Sequence, residues 1–243
     1  MTRLYRLRRA LLSAGGRSVI DSGKCGNDAY WNLYDDGTLE ITGSGATNNY
    51  RENAHPWYGY RDLITSLVVG DGITKLGDNC FTKCAKIVSA SWPNSITSFG
   101  TRVFKGCSSL DVTELPENLA GELEMEVFRD CASLALTSLP SSLTSIAANA
   151  FYSCRGLTTM TFGENLATIG NTAFSNCSLQ IVKFNSTPTT IGTNAFASMV
   201  NNSHIYVPWA EGEVAGAKWG APSSCTVHYN TTYDANGNPI TEV

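Results

Sequence analysis

The sequence predicts one elongated, β-rich solenoid in which short repeats stack and contribute strands to a parallel sheet. Three observations predict it: a motif recurs every 22 to 24 residues, a strand signature recurs with it, and cap-like segments flank the array. A unit this short cannot bury its own apolar face, so neighbouring units must stack around a continuous core. With 243 residues, 42% of them hydrophobic, the chain is long enough to build that core.

The repeat is anchored on a phenylalanine that is followed three positions later by cysteine in five copies and by methionine in the sixth. Five residues before each phenylalanine lies an apolar residue, which in four copies is followed by glycine. The six phenylalanines are Phe81, Phe104, Phe128, Phe151, Phe174 and Phe196. So many aligned positions indicate a true repeat.

Each unit also contains an apolar pair at strand spacing, closed by a proline or glycine that ends the strand. About six repeats therefore predict seven parallel strands. We expect these strands to begin near Ile64, Ala90, Thr113, Thr137, Met160, Val182 and Ile205. On the opposite side, segments such as Asn149-Ala150-Phe151 predict one short helical turn per unit, which gives the fold its α/β character.

Two segments are predicted to cap the array. Trp31 to Ile41 alternates apolar and polar residues around an Asp-Gly turn, a strong β-hairpin signal. Downstream, apolar residues such as Trp209 and Trp219 can close the far end. The predicted organisation is a basic amphipathic arm over 1–20, an N-terminal cap over 21–62, the solenoid over 63–208, a C-terminal cap over 209–229 and a polar tail over 230–243.

Eight cysteines invite a disulfide or metal interpretation, but their spacing favours another. Five of them recur at one repeat position, so they form a column with a spacing of about 5 Å, too far for direct S–S bonds without distortion. Cys80 takes a position filled by a small apolar residue in other copies. We favour buried free thiols for these six over disulfides or metal ligation. The redox state of Cys25 and Cys225 stays open.

The search for an active site finds no motif. The three histidines, His55, His204 and His228, make no His-x-x-x-His pair, and no nucleophile motif is present. Hairpin turn chemistry explains Asp35-Asp36 better than a calcium site does. We therefore expect no catalytic residue, no metal and no cofactor.

What remains is surface, and the outward strand residues form two rows rich in hydroxyl groups. Such a face suits recognition of a protein or glycan; a solvated face without a dedicated ligand is the alternative. One row includes Val112 and Leu136, which leaves open a local register change that would exchange them with Thr113 and Thr137. The candidate binding residues are Ser66, Ser89, Ser91, Glu114, Ser138, Thr159, Thr161, Lys183, His204 and Tyr206.

The basic residues are unevenly distributed. Before Asp21 the chain has no acidic residue but five arginines, Arg3, Arg6, Arg8, Arg9 and Arg17. Leucines at helical spacing among them predict an amphipathic helix, either a solvated terminus or an arm that anchors the chain to an acidic partner, a larger assembly or a membrane surface. The rest of the chain is acidic, so nucleic-acid binding is not expected. No apolar run suffices for a membrane span or a convincing signal peptide.

The repeat unit, the Trp31 to Gly45 hairpin and the Pro-Trp-x-x-Tyr-Arg run at Pro56 to Arg61 resemble BspA-type leucine-rich repeat proteins over residues 23 to 229. The resemblance implies a leucine-rich-repeat solenoid in a secreted or surface-exposed module that binds host proteins, cells or matrix, in some cases encoded by phages or prophages. It supplies no catalytic residues. We therefore expect a non-enzymatic adhesion module on a bacterial cell or virion surface. The alternative is a structural subunit of a larger particle, such as a phage virion, anchored by its N-terminal arm.

Overall fold

The computed structural model describes residues 16–216, 218–234 and 236–240, and its β-solenoid confirms the predicted fold class. Among the described residues, the helical segments are two short 3-10 helices, Tyr58–Tyr60 and Lys218–Gly220. The strands in chain order are β1 (Val19–Lys24), β2 (Gly26–Tyr34), β3 (Thr38–Thr47), β4 (Ser66–Val69), β5 (Ile73–Leu76), β6 (Ser89–Ser91), β7 (Ser98–Phe99), β8 (Gly121–Leu123), β9 (Leu143–Ile146), β10 (Thr159–Phe162), β11 (Thr168–Ile169), β12 (Ile181–Phe184), β13 (Thr190–Ile191), β14 (His204–Tyr206), β15 (Thr226–His228), β16 (Thr232–Tyr233) and β17 (Pro239–Ile240).

The N-terminal cap is the antiparallel meander β1–β2–β3, which contains the predicted hairpin. Its turn needs glycine at Gly37, because φ is +84° and a Cβ there would lie 2.8 Å from the carbonyl oxygen of Leu63. β3 then pairs in parallel with β4, the first solenoid strand. Trp57, fully buried, stacks at 5.5 Å on the ring of Phe81. The cap thus continues the sheet and covers the first rung of the core.

The solenoid carries two parallel sheet surfaces rather than one. The apolar–polar–apolar segments form the first, which we call the front sheet: β4 and β6 in its N-terminal half, and β10, β12, β14 and β15 in its C-terminal half. The segments that lie five residues before each repeat phenylalanine form a second surface, which we call the second sheet and which the sequence did not predict. It has two parts, β5 with β7 and β8 with β9, β11 and β13. The last front strand, β15, was also not predicted and extends the sheet by one rung.

The front sheet is interrupted at its centre, which corrects two of the seven predicted strands. The segments at Thr113 and Thr137 are not strands, and an isolated bridge between Ser138 and Thr161 is what joins the second of them to β10. The neighbouring strands β6 and β10 therefore belong to separate sheets.

The spacing of apolar residues explains the interruption. A regular rung places Met160 and Phe162 two positions apart, so that one face of an extended strand buries both. The irregular rung buries Val112 and Leu115, which lie three positions apart. A straight strand cannot turn residues at that spacing to the same side, so the backbone leaves the strand conformation. In both irregular rungs the exchange of register has taken place: Val112 and Leu136 face the core, and Thr113 and Thr137 are exposed.

The predicted helical turn is also wrong, since the residues around each phenylalanine form non-helical turns. Two positions before and two after it, the backbone adopts positive φ, as at Asn149 (57°) and Ser153 (62°). A run of α-helix cannot include such residues. Instead, alternate backbone N–H groups bond to the next rung. The Phe151 N–H donates to the Ala173 oxygen at 2.8 Å, and the N–H of each of the other five repeat phenylalanines makes the equivalent bond.

The core consists of columns that run along the solenoid axis. The six repeat phenylalanines stack with centroids 4.9 to 5.7 Å apart and planes within 13° of each other. Beside them all eight cysteines are buried and free. Four thiols donate to the phenylalanine carbonyl of the preceding rung, for example Cys131 to Phe104 at 3.1 Å. The thiol is thus a small apolar group with one donor, which suits this position.

Candidate recognition face

The structure places the ten predicted binding residues on the front side of the solenoid, eight of them on strands of the front sheet and Glu114 and Ser138 in its interruption; none of them is buried. Parallel pairing aligns them from rung to rung. In the N-terminal half Ser66 pairs with Ser89, whose hydroxyl donates to the Ser66 hydroxyl at 3.2 Å. In the C-terminal half Thr161, Lys183 and Tyr206 form one row. We call this surface, defined by the ten residues, the recognition face.

The central interruption changes which side chains the face presents. Val112 and Leu136, candidates for the outer row, lie in the core with 8% and 1% exposure. Thr113 and Thr137 are exposed in their place, beside Glu114 and Ser138. The sequence left this exchange open, and the three-residue spacing of the buried apolar residues Val112 and Leu115 is the signal that favours it. The outcome is a more polar centre than two regular rows would give.

A groove of about 390 Å³ lies where the interruption meets β10. It is lined by Thr137, Ser138, Thr159, Met160, Thr161, Ile181 and Lys183. Because no regular strand occupies the preceding rung, the groove presents hydroxyl groups above an apolar floor. Such a surface can accept hydrogen bonds from, and donate them to, a polar ligand.

The C-terminal residues cover the far part of the face. The strands β16 and β17 form an antiparallel hairpin, an element that the sequence did not predict in the polar tail. Lys183 Nζ donates to the Gly237 oxygen at 2.8 Å, and the Tyr233 hydroxyl donates to the Phe184 oxygen at 3.1 Å. Burial raises the pKa of Tyr233 to about 12, so its hydroxyl stays protonated. The ammonium group of Lys183 is thus engaged by the Gly237 oxygen within the chain.

Two histidines meet at the end of the face. His204 Nδ1 lies 3.0 Å from His228 Nε2, and the His228 ring stacks on Tyr206 with centroids 4.4 Å apart. Partial burial, and then the nearby His204, lower the pKa of His228. Sequence reasoning left His228 outside the site. Its signal was the 22-residue interval from Tyr206 to His228, which is one repeat.

The third histidine is structural. His55 is 2% exposed and packs between Trp57 and Tyr58 in the N-terminal cap. Burial lowers its pKa to about 4, so it is neutral near neutral pH.

The turn side of the solenoid holds a compact charge cluster around Glu126. The carboxylate accepts hydrogen bonds from Arg102 at 2.8 Å, Lys105 at 2.7 Å and Arg129 at 3.3 Å. Burial would raise its pKa, but the hydrogen bonds and charges of Arg102 and Lys105 outweigh that effect and lower the pKa to about 2. The cations are engaged by their own carboxylate, so this cluster holds rungs together.

The predicted anchoring arm falls largely outside the described residues: Arg3, Arg6, Arg8 and Arg9 lie there. Arg17 is described, and it belongs to the cap. Its guanidinium stacks 3.9 Å from the Tyr34 ring and pairs with Glu40 at 3.5 Å.

The described residues contain no group of three or more histidine, cysteine or acidic side chains placed to hold a metal ion. Within the same ranges, no helix has the length and apolar character needed to cross a membrane.

Comparison with known proteins identifies a family and several structural relatives. The profile of the BspA type leucine-rich repeat region matches residues 58–121 and 121–214, in six copies. A leucine-rich cell surface protein from Faecalibacterium prausnitzii is similar in structure, with a TM-score of 0.54 at 21% identity over 93% of this chain and 61% of its own. The pneumococcal vaccine antigen PcpA is also similar, with a TM-score of 0.54 at 15% identity over 83% of this chain and 48% of its own.

These identities show a shared fold alone. The chain spans less than two thirds of the length of either structural relative. A comparison with curated proteins gave no match.

Proposed function

The chain belongs to the BspA-type leucine-rich repeat family, and we propose that it is a non-enzymatic module that recognises a protein or glycan at a bacterial cell or virion surface. The observation that supports this most is the recognition face, a rigid sheet surface whose outward side chains are mostly hydroxyls. Parallel ladders hold its rows in register on either side of the central interruption. A preorganised surface loses little conformational entropy on binding.

The part of the face between β4 and the central groove is the better candidate for the contact. The C-terminal hairpin covers the region around Lys183, whereas Ser89, Ser91, Glu114 and Ser138 are exposed. Hydroxyl groups spaced by one rung can make several hydrogen bonds to a repeating polar ligand. Glu114 is the acidic side chain among them, so it should influence which ligands bind.

The test compares two charge reversals that differ in the face they alter. Glu114→Lys changes the recognition face, and Glu122→Lys changes an exposed glutamate of β8 in the second sheet. We expect the unchanged chain to bind at least one component of an array of mucins, matrix proteins and bacterial envelope glycans. Glu114→Lys should weaken that binding about tenfold, and Glu122→Lys should leave it unchanged. Equal loss in both variants, or binding to nothing on the array, would contradict the proposal.

The alternative is that the chain is a structural subunit held in a larger particle, such as a phage virion, by its N-terminal arm. Arg17 pairs with Glu40 in the cap, so a deletion of residues 1–15 removes most of the arm, including four of its five arginines, and spares that contact. The alternative requires that this deletion abolish incorporation into the particle while the solenoid stays folded. Unchanged incorporation would refute it.

A further inference from the structure

The end of the front sheet brings two imidazole rings into direct contact. His204 lies on β14 and His228 on the adjacent parallel strand β15. Register pairs His204 with Thr226 and Tyr206 with His228, so the histidines are diagonal neighbours on one face. Their nitrogens, Nδ1 of His204 and Nε2 of His228, are 3.0 Å apart.

The backbone and one aromatic ring hold the two histidines in this arrangement. The strand β15 is fixed by the bond from Thr226 N–H to the Ser203 oxygen at 2.9 Å and by that from Val207 N–H to the His228 oxygen at 2.9 Å. The Tyr206 ring lies nearly parallel to the His228 ring, at an angle of 10°. Two ligands held this way lose little freedom when an ion binds, which favours chelation.

The separation of the two nitrogens matches the bite of a metal ion. Zinc–imidazole bonds are about 2.0–2.1 Å long, so two bound nitrogens lie about 2.9 Å apart at a right angle and about 3.3 Å apart at the tetrahedral angle. The observed 3.0 Å falls within that range. A neutral imidazole has one N–H and one lone-pair nitrogen. When a metal binds both facing nitrogens, the proton between them leaves to solvent and the ring that donated it takes up a proton at its other nitrogen, so both rings stay neutral. We propose that His204 Nδ1 and His228 Nε2 form a binding site for a divalent transition-metal ion of the Zn²⁺ or Cu²⁺ class.

The surroundings define the kind of ion and its exposure. Imidazole nitrogen suits zinc, copper and nickel, whereas magnesium and calcium require oxygen ligands. In the described ranges no third histidine, cysteine or carboxylate joins the pair. Both rings are partly exposed, so the remaining coordination positions face solvent and take water or a donor atom from a bound partner.

The experiment is calorimetric titration of the full chain, prepared without a polyhistidine tag, with ZnCl₂ and with MgCl₂. We expect one Zn²⁺ per chain and no Mg²⁺ binding. His204→Asn and His228→Gln keep a polar group near each ring nitrogen but remove the imidazole; each should weaken Zn²⁺ binding about tenfold or more. The matched control is Thr226→Ala on the same face, which should bind Zn²⁺ as the unchanged chain does.

Cysteines are the competing ligands, and a second readout separates them. Co²⁺ substituted for Zn²⁺ should give a spectrum without thiolate charge-transfer bands, because the thiols are buried. Binding that survives both histidine substitutions, a thiolate spectrum, or no binding by the unchanged chain would overturn the proposal. Melting curves of the variants without metal show that each is folded. None of these outcomes depends on the recognition function.

Discussion

The cysteine column allows a sharp test of what a buried thiol does in this core. At Cys131 the thiol donates to the carbonyl oxygen of Phe104 at 3.1 Å. Cys84 occupies the same repeat position in the first rung, is equally buried, and makes no such bond among the described residues. Serine at either position brings a hydroxyl into the core. At position 131 the Phe104 oxygen can accept its hydrogen bond, whereas at position 84 the thiol has no such acceptor within the described part of the chain. The two substitutions therefore differ in hydrogen bonding and little else.

The expected magnitudes follow from that difference. Cys131→Ser exchanges one hydrogen-bonded donor for another and loses part of an apolar contact, so it should lower the free energy of unfolding by about 1 kcal/mol. Cys84→Ser leaves a buried hydroxyl unsatisfied, so it should cost about 2–3 kcal/mol. Urea unfolding followed by circular dichroism measures both values. Equal costs, or a larger cost at 131, would refute the assignment of the thiol as a hydrogen-bond donor.

Three further predictions concern charge, register and thiol reactivity. Glu126→Gln should lower stability by about 2 kcal/mol at neutral pH, because three cations lose their carboxylate. Since the pKa of Glu126 is depressed to about 2, its contribution is present above pH 4.5 and is lost as the pH falls towards 2; acid titration of the unfolding free energy checks the sign, and a variant more stable than the parent at pH 7 would refute it. Leu136→Ala should lower the free energy of unfolding in urea by about 2–4 kcal/mol, and Thr137→Ala should lower it by less than about 1 kcal/mol. The reverse order would show that Thr137 faces the core, as in a regular strand. Native protein should react with few equivalents of a thiol reagent and denatured protein with eight, because burial raises the pKa of thiols such as Cys80 to about 12; a low thiol count after unfolding would reveal disulfides.

The parts of the fold that follow from a period were predictable. The spacing of the phenylalanines fixes the rung, and the recurrence of cysteine at one position fixes a column of thiols. The Asp-Gly turn marked the cap hairpin. These signals are strong because a solenoid repeats each local requirement many times.

The exceptions depend on contacts that no single unit encodes. The positive φ at Asn149 is favoured because Phe151 and its neighbours bond to the next rung, and a single unit read alone still resembles a helical turn. The C-terminal hairpin depends on Tyr233 reaching the Phe184 oxygen, 49 residues away. The meeting of His204 with His228 depends on β15 adding to the sheet.

The recurrent hydrogen bonds on the turn side of the solenoid have a consequence for how such a chain can change in evolution. At a regular boundary, the Phe151 N–H donates to the Ala173 oxygen of the next rung, and the Cys177 thiol of that rung donates back to the Phe151 oxygen. A unit that is duplicated or deleted in frame between regular rungs therefore meets matching donors, acceptors and rings on this side. The length of the molecule can therefore vary in steps of one rung, about 5 Å, without redesign of the core. Recombination within the gene can therefore change the distance that the solenoid spans.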